Sequence, residues 1–409
     1  MQTERIVASW LRTRHAMRQT APELARRREQ LWQRLQPVLA RTPALAAHAG
    51  QPLLQVPITD SADMRGDYGA WNSVGKSHAE LCALADAAEV GEAEAALSAG
   101  WSSGSSGSVR GLFVSNAAER ADYIGQSLAR LLPAAALLRR QRIALHLRSG
   151  NALYSDVQRG RIEFRHFALD PPAEATAAQL RDFAPTILIA PPHRLMAFAV
   201  AGLKLPSLCH LFYGSEPMSD AERAVVAGHL GLLPRAIYQA TEGFLGADCA
   251  EGRLHLNDHS LAIELEPVPG TSGFRPIITD LRRTSQPIVR LRGDDYLEID
   301  SRACHCGYAG RVIAPLAGRV GDLWRFDDRC IAPTDVVAAV EGAIGGTCRW
   351  QAVARPDAVV LRVAADAPPG AGAGAAAALT ELTGRPATLR ADLPPWTGPK
   401  RRKVVWYDG

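Results

Sequence analysis

Residues Thr186-Ile187-Leu188-Ile189-Ala190-Pro191-Pro192 form a five-residue apolar run with β-branched side chains, stopped by two prolines. Such a run is too short for a helix. Proline supplies no backbone N–H and cannot continue a central ladder, so the spacing reads as a buried strand that ends at residue 190. Working outward, similar short apolar runs occur at 111–114, at 143–147 and at 208–213, the last ending at Gly214. Helical patterns separate them, at 117–138, 174–182, 193–202 and 219–231. Strands that alternate with helices imply an α/β domain around a largely parallel sheet.

Residues 1 to about 48 read as helical, with Leu24, Leu31, Leu35 and Leu39 near helical spacing, and 79–98 read as a further helix. Pro52 and Pro57 open an extended stretch between them. From about 253 to 300 the pattern changes to short alternating strands, marked by Leu254, Leu256, Ile263, Leu265, Ile277, Ile278, Ile288 and Val289. Residues 366–378, almost wholly Ala, Gly and Pro, read as a flexible loop.

At 409 residues the chain is long enough for two or three domains. A net charge of +4 is small for this length, which argues against a dedicated nucleic-acid binder. The triplet Arg26-Arg27-Arg28, flanked by Glu23 and Glu29, reads as a solvated helix face. No apolar run reaches the length of a membrane span, and the first residues, with Glu4, Arg5, Arg12 and Arg14, do not resemble a signal peptide. Seven cysteines fit reduced thiols or metal ligands in a cytoplasmic protein better than a disulfide framework.

Four segments carry chemistry. The run Ser102-Ser103-Gly104-Ser105-Ser106-Gly107-Ser108 can bring backbone N–H groups and hydroxyls close to phosphate oxygens. No Gly-Lys-Ser/Thr follows it, so it is not a Walker loop. Tyr238-Gln239-Ala240-Thr241-Glu242-Gly243 places an aromatic ring, a hydroxyl and a carboxylate together: a purine stack, a phosphate contact and a Mg²⁺ ligand. Cys249, His255, Cys304 and Cys306 supply three thiols and an imidazole, the donor set of a tetrahedral structural zinc, with His305 as a competing ligand. Near the C-terminus stands Thr397-Gly398-Pro399-Lys400-Arg401-Arg402-Lys403-Val404-Val405, a basic cluster.

In this order the segments resemble those of the adenylate-forming superfamily of acyl-CoA synthetases. The chain is most similar to the branch of phenylacetate–CoA ligases, indoleacetate–lysine ligase and adenylate-forming enzymes of unassigned substrate. The resemblance rests on the phosphate loop at Ser102, Ser103, Gly104, Ser105, Ser106 and Gly107, and on an adenine-contacting strand end at Gly214-Ser215-Glu216. It rests also on Tyr238 to Glu242 with Gln239 and Ala240 between, on Arg290-Leu291-Arg292-Gly293-Asp294-Asp295, and on Gly318-Arg319. Leu291 stands where the family has an aromatic residue. Gly321, followed by Asp322, stands where the family usually has a hinge Asp.

The resemblance implies a large domain over 1–318, with a β-rich part at about 250–318, and a small mobile α+β lid over 319–409. It implies ATP-dependent activation of a small carboxylic acid, aryl or aryl-acetic, through an acyl-AMP. The acyl group then passes to a thiol of CoA or a carrier protein, or in the alternative to an amine. A further alternative is a non-catalytic nucleotide-binding homologue. Thr241 would contact the α-phosphate, Glu242 Mg²⁺, and Asp295, with Asp294 as the second choice, the ribose together with Arg319. Lys400 would neutralise charge during adenylation, with Lys403 as the other register. His193, at a strand end where the family has acid-pocket residues, reads as an ordinary loop residue, with a place in that pocket as the alternative.

Overall fold

The computed structural model describes residues 2–89, 96–102, 110–147, 161–365, 367–368, 370–394 and 401–407. The chain opens with helices α1 (Gln2–Ala16) and α2 (Ala21–Leu39), the second begun by a Thr20–Glu23 capping box and buried through Leu24, Trp32, Leu35 and Leu39. Short α3 (Ser61–Gly66) and α4 (His78–Glu89) lead to the hairpin of β1 (Leu97–Trp101) and β2 (Leu112–Asn116). Leu97 and Ser98 are therefore strand and not the end of a helix over 79–98. They pair with Asn116 and Ser115, and this pairing overrides local helical propensity.

Helix α5 (Ala117–Leu131) is capped by Asn116 and stops one residue before Leu132-Pro133. The expected helix to 138 continues only as a 3₁₀ turn, because Pro133 removes a donor. Then follow β3 (Gln141–Leu145), β4 (Ile162–His166), α6 (Ala173–Phe183), β5 (Ile187–Ala190), α7 (Pro192–Val200), β6 (His210–Tyr213), α8 (Asp220–Leu230), β7 (Arg235–Ala240) and β8 (Gly243–Asp248). Next come β9 (Leu254–Leu256), β10 (Leu261–Pro267), β11 (Phe274–Asp280), β12 (Leu291–Arg292) and β13 (Val312–Ile313).

The main sheet has eight strands in the order β13-β9-β8-β7-β6-β5-β3-β4. Its β7-β6-β5-β3-β4 part is parallel, and β8, β9 and β13 add to it antiparallel. Alternate side chains feed two cores, as the two-residue period of a strand requires. Ala144, Leu188 and Leu211 face α6, α7 and α8, and Ile143, Ile187 and Phe212 lie on the opposite side with Leu131 of α5. Strands β10, β11 and β12 form a separate antiparallel sheet.

After a 3₁₀ turn at Val320–Asp322, β14 (Trp324–Arg325) and β15 (Cys330–Ile331) form a hairpin. They precede α9 (Pro333–Ile344), β16 (Trp350–Arg355), β17 (Ala358–Ala364), α10 (Ala371–Thr383), β18 (Ala387–Leu393) and β19 (Val404–Trp406). The last four strands are ordered β18-β17-β16-β19. A core of its own, from Trp324 through Val336, Leu361 and Leu379 to Trp406, holds this part together.

Two further expectations are corrected here. The Ala/Gly stretch read as a loop is helical from Ala371 to Thr383. Alanine is the strongest helix former, and Gly372 is tolerated because a Cβ there would meet Leu389 at 2.5 Å. Arg27 and Arg28 are not a solvated face: their guanidinium groups donate to the carbonyls of His259 and Asp258, which fastens α2 to the turn before β10. Among the described residues no helix is long and apolar enough to cross a membrane.

Candidate active site

A cavity of about 1420 Å³ opens at the carboxyl ends of the parallel strands, where open α/β sheets bind ligands. Its wall includes Ser102, Gly214, Ser215, Glu216, Tyr238, Gln239, Ala240, Thr241, Glu242, Asp295 and Arg319, all expected from the sequence. Arg401, Arg402 and Lys403 reach it from the C-terminal segment. Ser103, Gly104, Ser105, Ser106, Gly107 and Lys400 lie outside the described residues.

Ser102, the first residue of the serine-rich run, is pinned to Gly111 beyond it. Ser102 N–H donates to Gly111 O at 2.7 Å, and Gly111 N–H donates to Ser102 Oγ at 2.8 Å. Gly111 lies against Thr241: a Cβ at this glycine would stand 3.6 Å from Thr241 Cγ2 and 3.7 Å from Oγ1. The first and second motifs thus meet at one point. Sequence reasoning passed over the residues that hold them there. Arg283 donates to Thr241 O at 2.6 Å and also to Gln286 Oε1, while Gln286 accepts from Val114 N–H and donates to Leu112 O. The polar run Arg282-Arg283-Thr284-Ser285-Gln286 was the available signal.

Glu242 sits at the turn between β7 and β8, partly enclosed. Removal from bulk water raises its pKa, and the charges of Asp295 and Asp294 add to this. A carboxylate held in that state, in a cavity, with acidic neighbours, is chemically suited to a divalent cation. Tyr238 Oη donates to Asp295 Oδ2 at 2.8 Å. Asp295 bridges to Arg319 through the backbone, and the Arg319 Nε lies 3.9 Å from Asp295 Oδ1. The loop that carries Asp295 is steadied from the side: Arg290 pairs with Glu264, Arg292 with Glu266 and Asp60, and Leu291 is buried in the core.

At the end of β6, Ser215 adopts φ +74°, a left-handed conformation uncommon outside glycine. This turn sends Glu216 inward, where its side chain is 1% exposed. The carboxylate accepts His193 N–H at 3.0 Å and contacts His193 Nδ1 at 2.8 Å. It also accepts the main-chain N–H of Arg401 at 2.6 Å and Arg401 Nε at 3.1 Å. Burial by itself would raise its pKa, but Arg401 and His193 outweigh it and hold Glu216 at about 2. His193 is therefore engaged by Glu216, and it does not line the cavity wall.

The three basic residues after Lys400 each find carboxylates. Arg401 Nη1 donates to Glu222 Oε1 at 2.7 Å, Arg402 Nη2 to Asp322 Oδ1 at 2.5 Å, and Lys403 Nζ to Glu341 Oε1 at 2.6 Å. Lys403 Nζ also lies 3.0 Å from Glu222. Asp322 in turn accepts the Arg319 N–H at 3.0 Å, closing the 3₁₀ turn in which Gly321 has open space around it.

Away from the cavity, the ligand atoms of Cys249, His255, Cys304 and Cys306 lie within 4.8 Å of one another. Cys249 Sγ is 3.6 Å from Cys304 Sγ, and His255 Nε2 is 3.3 Å from Cys304 Sγ and 3.5 Å from Cys306 Sγ. Sulfurs around a tetrahedral zinc stand about 3.8 Å apart, so these four residues are compatible with that ion. His255 Nδ1 lies 2.8 Å from Gly310 O, which turns Nε2 toward the thiols. The competing His305 is not in the group.

No protein-family model matches the sequence, and no curated protein matches it. Solved structures do. A 2-hydroxyisobutyryl-CoA ligase, in its postadenylation state with 2-HIB-AMP, superposes with a TM-score of 0.68 at 16% identity, over 96% of this chain and 91% of that one. The same ligase with 2-HIB-AMP and CoA in the thioesterification state gives 0.57 over the same shares. The anthranilate CoA ligase AuaEII with anthranoyl-AMP gives 0.55 at 14% identity, over 75% of this chain and 65% of that one. The amide bond synthetase McbA from Marinactinospora thermotolerans gives 0.52 at 13% identity, over 74% and 67%. The chain has the fold of adenylate-forming ligases.

Proposed function

We propose that this protein is an AMP-forming ligase that activates a carboxylic acid with ATP and Mg²⁺ and passes the acyl group to a thiol. One observation carries the reading. A single cavity gathers the base of the serine-rich loop, Thr241 and Glu242, the Tyr238–Asp295–Arg319 group and the C-terminal basic segment. These parts come from widely separated positions in the chain.

A carboxylate oxygen of the acid attacks the α-phosphorus of ATP. The new P–O bond forms as the bond to the β-phosphate bridging oxygen breaks, and pyrophosphate leaves. Such a step asks the protein for alignment and charge neutralisation, with little covalent chemistry. Residues 102–107 hold the β- and γ-phosphates and Thr241 the α-phosphate. The backbone of Gly214 and Ser215 flanks the adenine, Tyr238 to Ala240 border it, and Asp295 with Arg319 takes the ribose hydroxyls. Glu242 would hold Mg²⁺, whose charge offsets that of the leaving pyrophosphate. Lys400 neutralises charge that develops between the carboxylate and the α-phosphate. Residues 319–409 act as a lid on the 1–318 domain and then rotate to admit the acceptor. Cys249, His255, Cys304 and Cys306 would hold a structural zinc that fixes the 304–306 loop to the β8–β9 hairpin.

The aryl or aryl-acetic class of acid rests on the family resemblance, and the anthranoyl-AMP bound by AuaEII supports it. The CoA ligases among the neighbours support a thiol acceptor, and McbA keeps an amine open. The test is pyrophosphate release with Mg-ATP over a panel of carboxylic acids, followed by addition of CoA or amines. Release of ADP and phosphate instead would rule adenylation out.

A further inference from the structure

The family resemblance implies an adenine contact at the strand end that carries Glu216, yet the Glu216 carboxylate is occupied by Arg401 and His193. We propose that Glu216 is the docking carboxylate of the C-terminal segment: it fixes the main chain at Arg401 against the β6–α8 region when the lid is closed, a contact that adenylation needs and acyl transfer does not. The inference rests on the adenylation reading.

Three observations carry it. First, the bond is to the main chain. Glu216 Oε2 accepts the amide N–H of Arg401 at 2.6 Å, and that nitrogen is covalently bound to the carbonyl carbon of Lys400. Side-chain pairing alone would leave the backbone free to slide. This bond sets it, and Arg401 Nε on Oε1 at 3.1 Å sets the direction.

Second, the contacts divide by element. Glu216 and Glu222 belong to the β6–α8 region, whereas Glu341 belongs to α9, within the same C-terminal core as β19. A lid rotation would break Arg401 from Glu216 and Glu222 and leave Lys403 on Glu341. Arg401 is thus the cation whose partners lie wholly on the other side of the joint. A fully formed charge-assisted pair of this kind is strong when closed, and opening removes the strongest partner of a buried carboxylate. His193, which stays with Glu216, provides the remaining partner.

Third, the closed contact is shaped by an independent steric feature. A Cβ on Gly346 would stand 2.5 Å from the backbone carbon of Ala221 and 2.8 Å from Glu222 N–H nitrogen. The loop after α9 therefore abuts the first turn of α8 at a place where no side chain fits. Gly346 does not have a positive φ, so alanine is unstrained there once the lid has moved away.

The experiment compares Glu216→Gln, Glu216→Ala and Gly346→Ala with the wild-type protein in separated half-reactions. Expected for Glu216→Gln is at least a ten-fold fall in kcat for pyrophosphate release, and for Glu216→Ala about a hundred-fold, the size typical of losing one electrostatic element. In both, KM for ATP stays within about three-fold and transfer from pre-made acyl-AMP is unchanged. Gly346→Ala, which touches no charge, gives the same pattern. Hydrogen exchange in the full chain adds a readout independent of chemistry: amides at 219–223 and 401–403 lose protection in Glu216→Ala and Gly346→Ala. A rise in KM for ATP with kcat unchanged would return Glu216 to the nucleotide. Equal loss in both half-reactions, or unchanged exchange, would also overturn the proposal. If wild-type protein releases no pyrophosphate, adenylation fails, and exchange still decides whether Glu216 docks the segment.

Discussion

Tyr238 Oη donates to Asp295 Oδ2 at 2.8 Å, and this bond ties the end of β7 to the loop that follows β12. Both groups belong to the cavity wall, and the phenol has little exposure otherwise. The bond leaves Asp295 one oxygen for a ligand and fixes its angle. Tyr238→Phe keeps the ring and removes only the donor. Expected is a rise of about five- to ten-fold in KM for ATP, with kcat changed less than three-fold, as befits a lost ground-state contact of neutral donor to charged acceptor. Steady-state pyrophosphate release checks it.

The two candidate lysines now predict different outcomes. Lys403 is held by Glu341 and Glu222, with its Nζ 5.3 Å from the Trp350 ring centroid. Its substitution by alanine should loosen β19 and lower thermal stability. Lys400→Ala should leave the fold and ATP binding nearly intact, slow adenylation by about two orders of magnitude, and spare transfer from pre-made acyl-AMP. If Lys403→Ala alone gives the half-reaction split, the register is displaced by three residues.

Much of this architecture is legible in the sequence. The strand–helix alternation from 143 to 231 matches the parallel sheet because short apolar runs and proline stops are local signals, whereas the run at 111–114 became β2 of a separate antiparallel hairpin. What escaped the reading depends on partners distant in sequence. The strand at Leu97–Trp101 exists through its ladder with β2, and Arg27 and Arg28 are spoken for by carbonyls about 230 residues away. The same holds in the site. Motif residues were recognisable one by one, whereas Arg283 and Gln286, which join two motifs, show in the sequence only as part of the polar run 282–286, with nothing local to name their partners. Nor does any local pattern reveal that Glu216 meets Arg401.

Zinc gives a third expectation. Protein prepared without a histidine tag in zinc-containing medium should carry about one equivalent per chain, because a four-donor closed site is structural. Cys304→Ser should lower the metal content and the melting temperature together. Elemental analysis showing less than about a tenth of an equivalent in the native protein would count against the site.

A fourth concerns pH. Burial raises the Asp280 carboxyl from its ordinary 3.8 to about 6. Between these values the folded chain keeps a proton that the unfolded chain has released, so stability falls as pH rises. The contribution is complete below about pH 4 and is lost as pH climbs through about 6. Asp280→Asn should flatten that part of the profile by about 2 to 3 kcal/mol, seen as denaturant midpoints measured from pH 4 to 7. A variant whose midpoints keep the full wild-type slope would dismiss Asp280 as the source.

Helix α1 rests on α5 so closely that a Cβ on Gly125 would stand 2.5 Å from the Ile6 carbonyl oxygen and 2.6 Å from Ser9 Cβ. The same α5 presents Tyr123, Leu128 and Leu131 to the cavity. Helix α1 is thus a buttress behind the wall of the cavity. An affinity handle fused there, or removal of α1, would act on the cavity wall through α5. For anyone preparing the protein for a substrate screen, the opposite terminus is no safer, since it carries the basic segment. An internal surface loop is the better place for a handle.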